Sequence, residues 1–279
     1  MSESLRPGPV IDRDAAARLL APLTELVARA GAAILKVDRR TMGKDGKADG
    51  SPVTEADLAA DRVIAEGLAR LVPEIPSLSE ERTHLAQLPY RSSFFLIDPL
   101  DGTKEFISGR DEFTVNLALV TDGVPLLGIV GAPALGLIWR GLVGRGAERL
   151  IVAGGASSPV RIHTRAMPVA SKPWVAAVSR SHGDERTEAF IDARPGAVRK
   201  SLGSAVKFCR VAEGEVDIYP RLAPTCEWDV AAGHAVVTAA GGGVTDSRGA
   251  PLRFGVGRSD FIVPEFIAWG DPAAAGGPR

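Results

Sequence analysis

The residues Phe94-Phe95-Leu96-Ile97 run straight into Asp98-Pro99-Leu100-Asp101-Gly102-Thr103. A short, unbroken apolar run of this kind reads as a buried strand. Two carboxylates three residues apart stand just past its end, where a tight turn can aim both at one point. Ionised together and unpartnered, they repel each other. A hard divalent cation removes that conflict, because Mg²⁺ takes a few carboxylate oxygens and shares its other positions with water and phosphate. Gly102 lets another group approach the backbone, and Thr103 would open a helix whose free N–H groups attract an anion. A solvated Asp-Gly turn is the alternative these residues leave open.

Three other acidic sites are weak separately. Glu80-Glu81 follows the segment Ile75 to Leu78 and has the look of surface charge. Thr54-Glu55-Ala56-Asp57 has the form of a capping box, with Thr54 as cap and Asp57 at the third helical position. Asp229, in Trp228-Asp229, would be a first-turn acid of an alanine-rich helix, favoured by the helix dipole. They become informative only if the fold brings them together.

Helical spacing predicts an amphipathic helix over Pro22 to Val37, with Pro22 in its first turn, and a second over Thr54 to Leu71. Leu58, Ala60, Ile64, Leu68 and Leu71 form the second helix's inner side, and Pro73 stops it. Gly43 to Pro52 reads as a loop. Phe113 to Val120 and Val124 to Val130 read as a hairpin around Thr121-Asp122-Gly123, followed by a strand at Leu137 to Leu142. Gly154 to Pro159 is the linker candidate. Beyond it come strands at Val175 to Val178, Val216 to Tyr219 and Val244, and helices at Asp184 to Asp192, Ser204 to Glu213 and Val230 to Ala239. That alternation predicts an α/β second half. Residues 1–155 are expected to form an α+β domain with most metal ligands, and 156–279 an α/β domain carrying the rest of the site.

The 279 residues carry 33 Lys and Arg against 34 Asp and Glu, so no global field draws a nucleic-acid polymer or an anionic membrane. An anionic substrate needs a local arrangement or metal ions. Cys209 and Cys226 read as buried reduced thiols. The N-terminus lacks signal-peptide order, and the longest uncharged run, Val124 to Trp139, is broken by prolines and glycines and shorter than the ~20 residues of a membrane span. A cytoplasmic chain is expected, with peripheral inner-membrane association left open, as monomer or homodimer.

Read in order, Asp49 to Asp57, Leu78-Ser79-Glu80-Glu81, Asp98 to Phe106 and Trp228 to Gly233 resemble the inositol monophosphatase superfamily of Mg²⁺-dependent, lithium-sensitive phosphatases. The resemblance covers about Leu23 to Leu252 and implies a layered αβαβα sandwich. A finer likeness lies in Glu112 to Asn116, Ser179 to His182, Gly203 to Cys209, Ala212-Glu213-Gly214 and Tyr219-Pro220-Arg221. These resemble the CysQ-type 3′(2′),5′-bisphosphate nucleotidase branch, which removes the 3′-phosphate of adenosine 3′,5′-bisphosphate. Ala205-Val206 departs from the serine-leucine pair common there, and the extension before Pro22 has no functional account.

The resemblance implies that Glu80, Asp98, Asp101, Asp229 and the Leu100 carbonyl ligate two or three Mg²⁺ ions, with Leu100, Asp101 and Asp229 also against the substrate. Glu80, Asp57 and Thr103 would be catalytic, the last two as the pair that orients and deprotonates the attacking water. Gly102 and Thr103 would receive the scissile phosphate on their N–H groups. Ser204, Lys207, Arg221 and His182 would hold the nucleotide end, Lys207 and Arg221 being the right cations for a second phosphate. His84, His163 and His234 have no ligand spacing, and Cys209 has no partner that would make it a nucleophile. An inositol or fructose phosphate phosphatase and a catalytically inactive phosphonucleotide-binding protein are the rivals. Aspartyl-phosphate chemistry wants D-x-D where this chain has D-x-x-D. Gly43 to Ala48 only approximates a P-loop.

Overall fold

The computed structural model describes residues 9–39, 44–46, 52–85, 92–152, 159–180, 183–255 and 261–276. Six α-helices are present among them: α1 (Arg13–Leu35), α2 (Glu55–Leu71), α3 (Thr103–Ile107), α4 (Glu185–Asp192), α5 (Val206–Ala212) and α6 (Glu227–Ala239). A seven-stranded sheet runs in the order Ser77–Ser79, Ser93–Asp101, Thr114–Thr121, Val124–Ala132, Leu137–Leu142, Gly146–Ile151, Val160–Ile162. It is antiparallel except for its first pair. A five-stranded sheet has the order Val198–Leu202, Val175–Ser179, Ile218–Arg221, Phe266–Trp269, Gly243–Thr245, parallel over its first three strands.

Strand periodicity assigns the layers. In Ser93–Asp101, Phe95 and Ile97 face a core shared with Leu23, Val27 and Ile34 of α1 and Ala60 and Ile64 of α2. Phe94 and Leu96 face the opposite core, with Phe208 of α5 and Val236 of α6. The second sheet divides likewise: Tyr219 and Phe266 point to the α5/α6 layer, while Ile218 and Ile267 point to Ile191 of α4. The result is the expected αβαβα sandwich. Helix α6 is apolar around most of its circumference because it lies between sheets. It approaches the first sheet at Gly128 and Gly141, where a Cβ would run into the backbone of Ala232 and Val236.

Several sequence expectations are corrected. Helix α1 starts nine residues before Pro22, capped by Asp12, whose carboxylate accepts the Ala15 N–H at 2.8 Å. Pro22 therefore sits mid-helix, where it has no N–H to give the preceding turn. Part of the expected loop is a short hairpin, Lys44–Gly46 against Pro52–Thr54. Leu58 and Leu71 are exposed, and Asp57, Asp61 and Gly67 take inner positions on α2 instead. Helix α6 begins at Glu227, so Asp229 is its third residue. Cys226 is only partly buried, while Cys209 is fully buried and burial pushes its thiol well up. His182, and residues 153–158 with the expected domain boundary at 155/156, lie outside the described residues. Among the described residues no helix is long and apolar enough to cross a membrane.

Candidate active site

The mouth of the first sheet is built by an irregularity in the strand. Asp98 pairs with Asn116 and Asp101 with Thr114, so the 93–101 strand carries one residue more than its partner. Pro99 lies inside this bulge, where it has no N–H to offer a ladder. The extra residue turns Asp98 and Asp101 out of simple alternation. Gly102 follows at φ +93, a conformation open to glycine, and caps α3. A side chain there would overlap Ser204 Oγ.

Asp98 is buried, and carboxylate oxygens of Glu80, Asp98 and Asp229 come within 4.8 Å of one another. Burial, then the charges of Glu80, Asp101, Asp229 and Asp57, drives the Asp98 carboxyl well above the usual range. Burial and Asp101 push Asp229 up to about 7, with Glu80 adding to the effect and the Thr225 hydroxyl opposing it. Four elements supply these groups: the 310 segment after Ser79, the bulged strand, α2 and α6. Such a set is electrostatically unfavourable by itself and suits a hard cation, so the donor set fits Mg²⁺. Asp101 stands outside the tightest group. Its Oδ2 lies 3.3 Å from both Thr114 Oγ1 and Asn116 Nδ2, and burial raises its carboxyl while Lys207 lowers it.

Asp57 and Asp229 occupy equivalent helical positions. Each is the third residue of its helix and folds back to its own cap: Asp57 Oδ2 accepts Thr54 N–H at 2.8 Å and the Thr54 hydroxyl at 2.6 Å. Asp229 Oδ2 accepts Cys226 N–H at 3.2 Å and the Thr225 hydroxyl. Capping therefore orients both carboxylates without competing with their place in the site. The other Asp57 oxygen is 3.1 Å from Thr103 Oγ1, which also lies 3.2 Å from the Leu100 carbonyl. The expected Asp57–Thr103 pair is in contact.

The opposite wall carries cations. Lys207 is 3% exposed, donates to the Ser204 carbonyl at 2.7 Å and lies 5.2 Å from the Tyr219 ring centre. Burial lowers it to about 8, with Asp101 opposing and Arg221 reinforcing the shift. Arg221 Nη2 donates to the Pro224 carbonyl at 3.2 Å and the guanidinium also bonds the Tyr219 hydroxyl, while its buried Nε has no partner among the described residues. Ser204 lines the cleft, but its hydroxyl is directed at the carbonyls of Asp101 (2.8 Å) and Glu112 (3.0 Å). Its φ of +47 is unusual for a residue with a Cβ. Glu80, Asp98, Leu100, Asp101, Gly102, Thr103, Ser204, Lys207, Arg221 and Asp229 all line one cleft of about 240 Å³.

Three polar residues of the stretch Glu112 to Asn116, to which the resemblance gives no role, brace this cleft. Thr114 and Asn116 face Asp101, and Glu112 accepts Gly203 N–H at 2.8 Å and pairs with Arg180 at 2.6 Å. The readable signal was polar residues opening an otherwise apolar strand, both fully buried. His234 is also buried, edge-on to Phe254, and lies outside the cleft lining.

A bulged strand mouth, converging carboxylates and a helix N-terminus on a five-layer sandwich define a metal-dependent phosphatase architecture. The chain belongs to the inositol monophosphatase family, whose model matches residues 16–273. It is 40% identical over 251 residues to the 3′(2′),5′-bisphosphate nucleotidase CysQ of Escherichia coli O6:H1, covering 89% of this chain and 98% of that one. The protein of the same name from Buchnera aphidicola is 34% identical, over 90% and 93% of the two chains. Among solved structures, CysQ from Bacteroides thetaiotaomicron matches at TM-score 0.71 and 34% identity, covering 91% of this chain and 97% of that one. The inositol monophosphatase from Anabaena matches at TM-score 0.73 and 25% identity, over 93% of each chain.

Proposed function

We propose that this chain is a 3′(2′),5′-bisphosphate nucleotidase that releases the 3′-phosphate of adenosine 3′,5′-bisphosphate, leaving AMP, and acts in the same way on its 5′-phosphosulfate analogue. The observation that carries this is the pairing of two walls in one cleft. The carboxylate wall suits the metal-dependent chemistry of the family, and the buried Lys207 and the Arg221 guanidinium, with its Nε unpartnered among the described residues, suit a second phosphate that the carboxylates repel. The nucleotidase names of the relatives at 34–40% identity support the same substrate class.

Glu80, Asp98, Asp101, Asp229 and the Leu100 carbonyl would hold two or three Mg²⁺ ions. When bound, Mg²⁺ offsets phosphate charge and makes water more acidic, and a second ion steadies the leaving oxygen. The protein's own groups do the rest. Asp57 holds the Thr103 hydroxyl as a donor toward itself, which leaves a Thr103 lone pair to accept a hydrogen bond from the attacking water. A proton taken up at Thr103 Oγ1 passes along that contact to Asp57. The N–H groups of Gly102 and Thr103, free at the start of α3, receive the scissile phosphate. Lys207 and Arg221 bind the other phosphate and fix which ester stands at the carboxylate wall. Ser204 acts from behind by tying Asp101 and Glu112 together.

Phosphate release by the purified protein with Mg²⁺ tests this, using adenosine 3′,5′-bisphosphate, inositol 1-phosphate and fructose 1,6-bisphosphate. The expected result is preference for the nucleotide, lost with EDTA and in Asp98→Asn. Preference for a sugar phosphate would overturn the assignment of Lys207 and Arg221. Release from none of them would overturn the catalytic assignment.

A further inference from the structure

Asp61 lies one helical turn beyond Asp57 on α2 and is 7% exposed. It does not line the cleft, yet its carboxylate is fully engaged. Ser79 Oγ donates to Oδ1 at 2.6 Å. The Arg82 guanidinium forks onto the same group, with Nε 2.9 Å from Oδ2 and Nη2 3.1 Å from Oδ1. Ser79 and Arg82 flank Glu80 and Glu81 on either side. Ser79, fully buried, ends the strand paired parallel to Phe95–Ile97. Arg82 sits where the following 310 segment departs from helical geometry, at φ −133 and ψ 28.

We propose that Asp61 and Arg82 form a clamp that positions Glu80, resting on the assignment of Glu80 as a metal ligand. A carboxylate on a short irregular segment gains its orientation from its surroundings. Here three donor atoms, making four hydrogen bonds, tie both flanks of Glu80 to one residue on a seventeen-residue helix. Residues four apart on α2 share a face, so the same helix face presents Asp57 to Thr103 and Asp61 to the Glu80 segment. The water-orienting pair and one metal ligand are thus referenced to a single rigid element. Asp61 and Arg82 are positioning residues: they act through Glu80.

Electrostatics and positioning give opposite signs for Arg82. Its positive charge near the carboxylate cluster opposes cation binding, so on charge alone Arg82→Met tightens Mg²⁺ binding. If Arg82 positions Glu80, the same substitution weakens it. Calorimetric titration of Mg²⁺ into the EDTA-stripped, dialysed full chain reads the sign directly, with thermal melts in EDTA recorded beside it. The expected result is about tenfold weaker binding in Arg82→Met, the usual scale for losing an outer partner of a ligand. Ser79→Ala, which leaves every charge in place, is expected to weaken binding severalfold with a melt close to wild type. Unchanged or tighter binding in a folded Arg82→Met would overturn the clamp. Should that variant not fold, unchanged affinity in Ser79→Ala overturns it instead. Absence of Mg²⁺ uptake by the wild type would overturn the metal assignment of Glu80 itself, and the clamp with it.

Discussion

Replacing Asp229 by asparagine should make the metal-free protein more stable while impairing its use of Mg²⁺. Asp229 is held at about 7 by burial and by Asp101, with Glu80 adding to them, against 3.8 for a free aspartate. At about 1.4 kcal/mol per pH unit, ionising it in the fold costs up to roughly 4 kcal/mol more than in the unfolded chain. The sign follows from proton binding. Between pH 4 and 7 the folded state holds the proton and the unfolded state has released it, so stability falls as pH rises through this window. The penalty is complete above pH 7 and absent below pH 4. Asparagine matches the shape and can still accept from Thr225 and Cys226, the two partners of Asp229, but it carries no charge. In EDTA at pH 8, Asp229→Asn should therefore melt several degrees above wild type, at roughly 2–4 °C per kcal/mol for a chain of this size. Near pH 4 the two should melt together. Adding Mg²⁺ should raise the wild type steeply and the variant much less, because ligand stabilises only the form that binds it. Differential scanning fluorimetry across pH 4–8, with and without Mg²⁺, makes the comparison. A variant less stable than wild type in EDTA at pH 8, or a difference independent of pH, would refute the reasoning.

Other outcomes follow from single features. Gly102→Ala should abolish most activity, since its φ of +93 and the overlap with Ser204 Oγ act together; Gly102→Ala/Ser204→Ala should recover only part, because the backbone strain of ~1–3 kcal/mol stays. Thr103→Val should lower kcat by ~10²–10⁴ with Mg²⁺ affinity intact in calorimetry, and Thr103→Ser should restore much of it. His234, lowered to about 4 by burial, stays neutral in the fold while the unfolded chain protonates near 6.5. Stability should therefore fall by up to about 3 kcal/mol as pH drops from 6.5 to 4, and His234→Phe should flatten that part of the denaturation profile.

Much of the fold and the site could be read before any coordinates, for identifiable reasons. The apolar run at Phe94, the capping form at Thr54 and the turn at Asp122-Gly123 are local signals, and each element appeared where it was expected. Helix α2 lies where its periodicity puts it and buries Ala60, Ile64 and Leu68 as expected, but two of the five positions read as inner are not. Asp57 and Asp61 occupy inner positions there, so apolar periodicity pointed to Leu58 and Leu71, which are exposed. The residues that blurred the pattern are those directed at Thr103 and at the Glu80 segment. Pro22 shows another limit, because a proline tolerated inside a long amphipathic helix is indistinguishable locally from one in its first turn. Short strands such as Gly146–Ile151 and Val198–Leu202 carry charged side chains and little alternation. They exist through their partners in the sheet. The backbone-directed geometry of Ser204 was likewise unreadable, since it depends on carbonyls about a hundred residues away.

In the proposed function one cleft reads two phosphates, with Lys207 and Arg221 holding the one that is not cleaved. The most direct measurement is kcat/KM for adenosine 3′,5′-bisphosphate and for adenosine 3′-monophosphate, in wild type and in Lys207→Met. A charge-assisted contact of ~1.5–3 kcal/mol corresponds to roughly ten- to over a hundredfold. Wild type is expected to favour the bisphosphate, and Lys207→Met to lose that much on it while the monophosphate rate stays nearly unchanged. Equal losses on both substrates, or no preference in the wild type, would contradict it.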